Sequence, residues 1–438
     1  MNTLAIEMKL NGFIKQLEPQ LKSWRRAFHR YPEIGWTEYW TTYQIGKELK
    51  KLGMKIAVGE DAVGNRKKMG LPHTQILTAA EKKAKKAGVP ESWLAKMKGG
   101  KTGLAAQWDT GKPGKHVAFR FDIDALPITE ACDALHAPFV KGFSSNESGI
   151  MHACGHDGHM AIGLGLAYCM KHFQHDLKGK ITLLFQPAEE GGRGAAAMVQ
   201  QGWLDDVDEF ISGHIGIYPL QIGEVAANTT QFLASTKMDI SFKGQAAHAG
   251  IEPEKGQNAL LACAAASLHL QGISRHSAGM TRINIGRLEA GTGRNIISDT
   301  GRMEMETRGE TEALNDYMET TARRIIETAG DMYQVSTKID VVGKTIDAVC
   351  DKEWISRIEN VCKDSKRINR VIPEVPFGGS EDATLMMRAV QKRGGKAVYL
   401  LFGTPITNGH HHPAFDFDEN VLIVAVELLA RILLLSEN

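Results

Sequence analysis

Residues 180–190 read KITLLFQPAEE. Lys180 to Phe185 is a short apolar run, the pattern of a strand buried on both faces of a sheet. Gln186 and Pro187 end it, and Pro187 keeps the backbone extended just before two adjacent carboxylates, Glu189 and Glu190. Acids after a strand often only open the next helix, where its dipole favours them. In a parallel sheet, however, functional side chains gather outside the carboxyl ends of the strands. There an adjacent pair can divide two tasks, one carboxylate holding a cation and the other accepting a proton.

Outward from this stretch the chain alternates. Gly103 to Trp108, His116 to Phe121 and Glu209 to Ser212 read as further strands, with helices over Gly158 to Phe173 and Gly194 to Gln201. That alternation predicts an α/β fold with a mostly parallel sheet and helices on both faces. Two amphipathic helices, Leu21 to His29 and Glu38 to Leu52, precede it, followed by a Lys-, Gly- and Ala-rich segment of short helices over about 53–101. Near Gln231 the character changes. Alternating strands at Lys237 to Phe242, Arg282 to Leu288, Arg302 to Arg308 and Tyr333 to Val342 surround helices at Ala259 to Gln271 and Thr311 to Ala329. This block of small-domain size predicts an inserted α+β domain at 232–345 within a catalytic domain formed by 1–231 and 346–438.

Composition narrows the possible partners. A 438-residue chain with 43% hydrophobic residues and a formal net charge of +1 is ordinary globular material. It lacks the basic footprint of a nucleic-acid binder, and the Lys82–Lys86 run reads as a solvated helix face. Met1 to Ser23 is charged and has no apolar signal core; Val421 to Leu435 is interrupted by Glu427 and Arg431 and too short to span a bilayer. The expectation is a cytoplasmic protein without a membrane or nucleic-acid partner. Six scattered cysteines form no disulfide framework.

Four further clusters carry chemistry. In Met151 to His159 (MHACGHDGH), Cys154 and His156 flank a glycine that lets their side chains converge, and thiolate with imidazole is a ligand set for zinc and related ions. His214 lies at the end of the strand beginning at Glu209. The run His410-His411-His412-Pro413 could close a metal shell from the far end of the chain, through any one of its histidines. In the inserted block, His248, Asn295 and Arg308 could supply donors to a substrate carboxylate and to a developing oxyanion.

Together MHACGHDGH, QPAEE, AHAGIEPEKGQNA (247–259) and HHPAF (411–415) resemble the M20 metallopeptidases, in their aminoacylase/amidohydrolase branch. So do HRYPEIG (29–35), RFDIDALP (120–127) and GSEDA (379–383), and the likeness spans essentially the whole chain. It implies two divalent metal ions held by Cys154, His156, Glu190, His214 and His411, with Glu189 as general base. It also implies that His248, Asn295 and Arg308 bind substrate and oxyanion, His248 reaching a neighbouring subunit's site. Arg120 stands where related branches carry a metal-binding histidine. The implied reaction is hydrolysis of the amide of an N-acyl amino acid. Within the branch, Met69-Gly70-Leu71-Pro72, EDATLMM (381–387) and Gly409-His410-His411 resemble the members that act on p-aminobenzoyl-glutamate, a likeness that implies this substrate and manganese as metal. The softness of Cys154 argues for zinc instead. The inserted domain is expected to act as lid and dimerisation surface, in a homodimer or in a heterodimer with a homologous subunit. A general aminoacylase, a dipeptidase or carboxypeptidase, and a non-catalytic subunit paired with an active homologue are the alternatives.

Overall fold

The computed structural model describes residues 3–435. In it KITLLF becomes the strand Lys180–Gln186, buried from Ile181 onward. This strand lies in an eight-stranded sheet ordered Lys55–Val58, Leu104–Asp109, Lys180–Gln186, His116–Asp122, Glu209–Ile215, Lys396–Phe402, Glu224–Ala226 and Arg370–Ile372. The four middle strands run parallel, and antiparallel pairings join the outer strands to them. Register aligns Asp122 with Gln186, and Ile215 with Phe402, so the carboxyl ends of the middle strands come out level along one edge.

Successive side chains on a strand point to opposite faces, and both faces are covered. Phe121 packs against Gly163 of the helix His156–His172, whereas its neighbour Arg120 meets Asp382 at the start of the helix Ala383–Gln391. Helices Thr3–Arg30, His156–His172 and Val421–Leu435 pack on one another. The first extends far beyond the Leu21 to His29 stretch that periodicity marks. Pro19 sits inside it, but Leu10, Ile14, Leu17 and Leu21 bury one continuous stripe, and that packing outweighs the single backbone bond proline removes. The 53–101 segment holds helices Thr74–Lys86 and Glu91–Met97, and also contributes the edge strand Lys55–Val58, too short for its alternation to show in the sequence.

A second, four-stranded antiparallel sheet is ordered Thr281–Ala290, Thr300–Gly309, Ala234–Lys243 and Ser336–Thr345. Met238, Ile240 and Phe242 turn inward against helices Ala259–Gln271 and Glu312–Met332, forming a core separate from that of the large sheet. Asn258 and Thr311 cap those helices through their side chains. The opposite face of this sheet is charged. The strand Ser336–Thr345 returns to the large sheet's edge, where the Lys344 N–H donates to the Gly192 carbonyl (2.9 Å). Gly343 presses so close to Gly191 that an added Cβ would overlap its carbonyl oxygen. No helix among the described residues is long and apolar enough to cross a membrane.

One buried ion cluster ties the termini together. Arg25 is sandwiched between the rings of Phe143 and Phe417 and pairs with Asp157 (2.8 Å), Asp416 and Glu419. Removing one partner of such a cluster strands buried charge, so Arg25→Met should lose about 3–5 kcal/mol in urea unfolding at pH 7. Burial raises the Asp157 pKa, but Arg25 and His29 outweigh it and hold the carboxyl well below the ordinary 3.8. A depressed native pKa contributes stability that is complete above the unfolded value and lost as pH falls through the native one. The gap between wild type and Arg25→Met should therefore narrow below about pH 4.

Candidate metal centre

The level strand ends gather chemistry that the sequence scatters along the chain. Gly155 takes a left-handed conformation (φ 92°) at the start of the helix His156–His172 and turns Cys154 and His156 toward one point. The His156 Nδ1–H donates to the Asp124 backbone carbonyl (2.8 Å), which leaves Nε2 buried with no hydrogen-bond partner. The His214 Nδ1–H donates to the Ile215 carbonyl (2.8 Å) and presents Nε2 to the Cys154 sulfur at 3.5 Å. Both tautomers are thus set by backbone, as in histidines that ligate through Nε2. Ligand atoms of Cys154, His156 and His214 lie within 4.8 Å of one another.

The acid pair is positioned by two buried carboxylates. Ala188 has φ 50°, unusual for a residue with a side chain, and its N–H donates to Glu38 (2.8 Å). The next two N–H groups, of Glu189 and Glu190, donate to the two oxygens of Asp124 (3.0 Å each). The Arg193 Nε–H donates to the Glu190 carbonyl (2.7 Å). Glu190 thereby forms a second set with Cys154 and His411, again within 4.8 Å. His411 Nε2 approaches Glu190 Oε1 to 3.3 Å, yet that oxygen, like His156 Nε2, is buried without a hydrogen bond.

The other two histidines of the run are engaged differently. His410 accepts the Ile217 N–H through Nε2 (3.1 Å), so its Nδ1 carries the proton and faces Cys154 as a donor at 3.7 Å. His412 is exposed and accepts the Ala414 N–H.

Glu189 lies 4.0 Å from His156 Nε2 and within 4.8 Å of both Glu381 and Asp382. Burial first, then Glu381, Glu190 and Asp382, push its carboxyl well above the usual range. Burial would lower His156, but Asp122, Asp124 and Cys154 together outweigh it and the net shift is upward; His214 is driven well below its ordinary value by burial and by the rings of His159 and His410. Arg120 is fully buried against Asp122, Glu381 and Asp382. Asp122, Asp124, Glu38, Glu381 and Asp382 therefore shape the centre, although no spacing in the chain assigns them a role. The available signals were the RFDIDALP and GSEDA stretches, which carry four of these five acids.

The residues of the inserted block divide. His248 and Asn295 are exposed neighbours at a separate two-stranded ladder, in which Ala247–His248 pairs with Ile296–Ile297; the Ala249 N–H donates to the Asn295 carbonyl, and neither side chain bonds to the candidate metal centre of its own chain. Arg308 lies on the charged face and is held by both oxygens of Glu306 (2.8 and 3.1 Å).

Two overlapping donor sets sharing one sulfur, with buried orphan atoms on His156 and Glu190, fit a pair of divalent ions better than a hydrogen-bonded core.

Comparison with known proteins agrees. Residues 118–435 match the family described as Peptidase family M20/M25/M40. The chain is 46% identical to indole-3-acetyl-aspartic acid hydrolase of Enterobacter agglomerans, over 96% of this chain and 97% of that one. It is 45% identical, at the same coverages, to one of the subunits of p-aminobenzoyl-glutamate hydrolase from Escherichia coli (strain K12). The crystal structure of the aminobenzoyl-glutamate utilization protein from Klebsiella pneumoniae superposes with a TM-score of 0.84 at 39% identity, covering 98% of both chains.

Proposed function

The chain belongs to peptidase family M20/M25/M40, and from that membership we propose that it hydrolyses the amide of an N-acyl amino acid, with p-aminobenzoyl-glutamate as the best candidate substrate. The observation that carries this reading is the sharing of Cys154 between two donor sets, with Glu189 beside them. Cys154, His156 and His214 would hold one divalent ion, and Cys154, Glu190 and His411 the other, manganese or zinc. Such ions, when bound, supply Lewis acidity toward the amide carbonyl and toward the attacking water.

The protein's own residues do the rest. Glu189, held by Asp124 at its backbone N–H and pressed by neighbouring carboxylates, takes a proton from the water and returns it to the leaving nitrogen. Arg308 would bind the α-carboxylate from the same chain, and Asn295, beside His248 beyond the far end of the second sheet, would reach it from a second subunit. His248 is exposed and remote from the centre of its own chain, which suits donation to the oxyanion in a second subunit's site. Residues 232–345 would thus serve as lid and dimerisation domain, in a homodimer or with a homologous subunit. Leu260, Leu261 and Leu268 leave the outer side of the helix Ala259–Gln271 apolar and exposed, which supports that role.

The test is release of p-aminobenzoate by the purified chain, stripped of metal and then resupplied with manganese or zinc. Activity lost on stripping and restored by one of the ions is expected. Restored cleavage of acetyl- or benzoyl-amino acids alone would replace the substrate assignment by a general aminoacylase. Inactivity on all of them would point to a missing partner subunit.

A further inference from the structure

Lys237 lies on the charged face of the second sheet, because its neighbour Met238 points into the core on the other side. Register places it between Glu306 on one flanking strand and Gly343 on the other. Gly343 offers no side chain to block it. A Cβ built there would come within 3.5 Å of the Lys237 Cδ while overlapping the Gly191 carbonyl. The lysine stem therefore crosses the point where the second sheet meets the loop immediately after Glu190.

Lys237 is half-buried, and among the described residues no hydrogen bond or ion pair engages its ammonium. Both oxygens of Glu306 go to Arg308, and neighbouring Lys344 is committed to Asp316 and Glu319. Arg302 shares the face but sits opposite Ser241, further from the metal centre. Burial lowers the Lys237 pKa, and Glu189, Glu306 and Glu190 only partly offset it, so the net shift is downward. A cation partly withdrawn from water without a direct partner is unfavourable, and an anionic ligand offsets that cost.

We propose that Lys237 pairs with the side-chain carboxylate of an N-acylated dicarboxylic amino acid, and so sets the preference for acidic over neutral amino acids. This rests on the amidohydrolase reading above, which leaves the α-carboxylate to Arg308 and Asn295 and assigns nothing to the second carboxylate of glutamate.

The test compares kcat/KM for p-aminobenzoyl-glutamate and its neutral isostere p-aminobenzoyl-glutamine in the metal-loaded wild type, Lys237→Met, Lys237→Gln and Lys237→Arg. The wild type should prefer glutamate. In the Met and Gln variants that ratio should fall roughly 10- to 100-fold, the range expected for one charge-assisted bond, and the Arg variant should keep most of it. An active wild type without the preference, or neutral variants that retain it, overturns the role of Lys237 and leaves the amidohydrolase reading intact. A wild type that cleaves neither compound overturns both.

Discussion

Cys154→Ser should cost both metal sites at once. A ligand unique to one set could be lost with the other ion retained, but the sulfur belongs to both. Removing even an outer-shell partner of a metal ligand typically costs 10–100-fold in affinity or activity, so loss of the shared ligand should exceed ~100-fold in turnover. Metal analysis should find fewer than one ion per chain, against two in the wild type. By contrast, His214→Ala should leave the Cys154–Glu190–His411 set able to bind. Burial, and then Glu190, raise the Cys154 thiol well above its usual pKa, so the metal-free centre holds a protonated sulfur. Metal uptake must expel that proton, and affinity should strengthen as pH rises. A Cys154→Ser protein that keeps two ions and normal turnover would remove the sulfur from the centre.

Glu189→Gln should do the opposite, abolishing turnover while keeping the metal. The amide matches the carboxyl in volume but cannot accept and return a proton, which predicts a loss of about 10²–10⁴-fold in kcat. Its backbone N–H still reaches Asp124, and the substitution touches neither Cys154–His156–His214 nor Cys154–Glu190–His411. Stability separates this role from a structural one. Because Glu189 has a raised native pKa, its ionisation disfavours the fold increasingly as pH rises through that value. The neutral variant should thus melt no lower than wild type when metal-free, and its relative stability should improve toward alkaline pH. Loss of activity together with loss of metal or a lower melting temperature would make Glu189 a structural residue.

Much of this centre was readable as spacing. KITLLF had to be a covered parallel strand, and that places QPAEE at a strand's carboxyl end. MHACGHDGH carries its ligands so close together that one glycine turn suffices to converge them. What stayed hidden depends on register and depth. Asp124 is one acid among many until its carboxylate is seen receiving the N–H groups of both Glu189 and Glu190. Glu38 sits 150 residues before Ala188 and supports it through a bond that no periodicity encodes. Among three consecutive histidines, residue type cannot rank them. The backbone can, since the Ile217 N–H occupies one ring nitrogen of His410 and turns the remaining N–H toward the sulfur. Lys237 looked like any strand lysine, because its isolation follows from Glu306 already being engaged across the register.

The Gly343–Gly191 contact and the Lys344–Gly192 bond pin the second sheet to the loop that follows Glu190. In a rigid rotation, points near the axis stay put while distant ones sweep an arc. Were residues 232–345 to turn as the proposed lid, a pin one residue beyond Glu190 would keep Lys237 at nearly constant distance from that carboxylate. The outer corner bearing His248 and Asn295 has the long lever arm. Recognition near the pin would then be independent of such a closure, whose contribution would arrive from the far end.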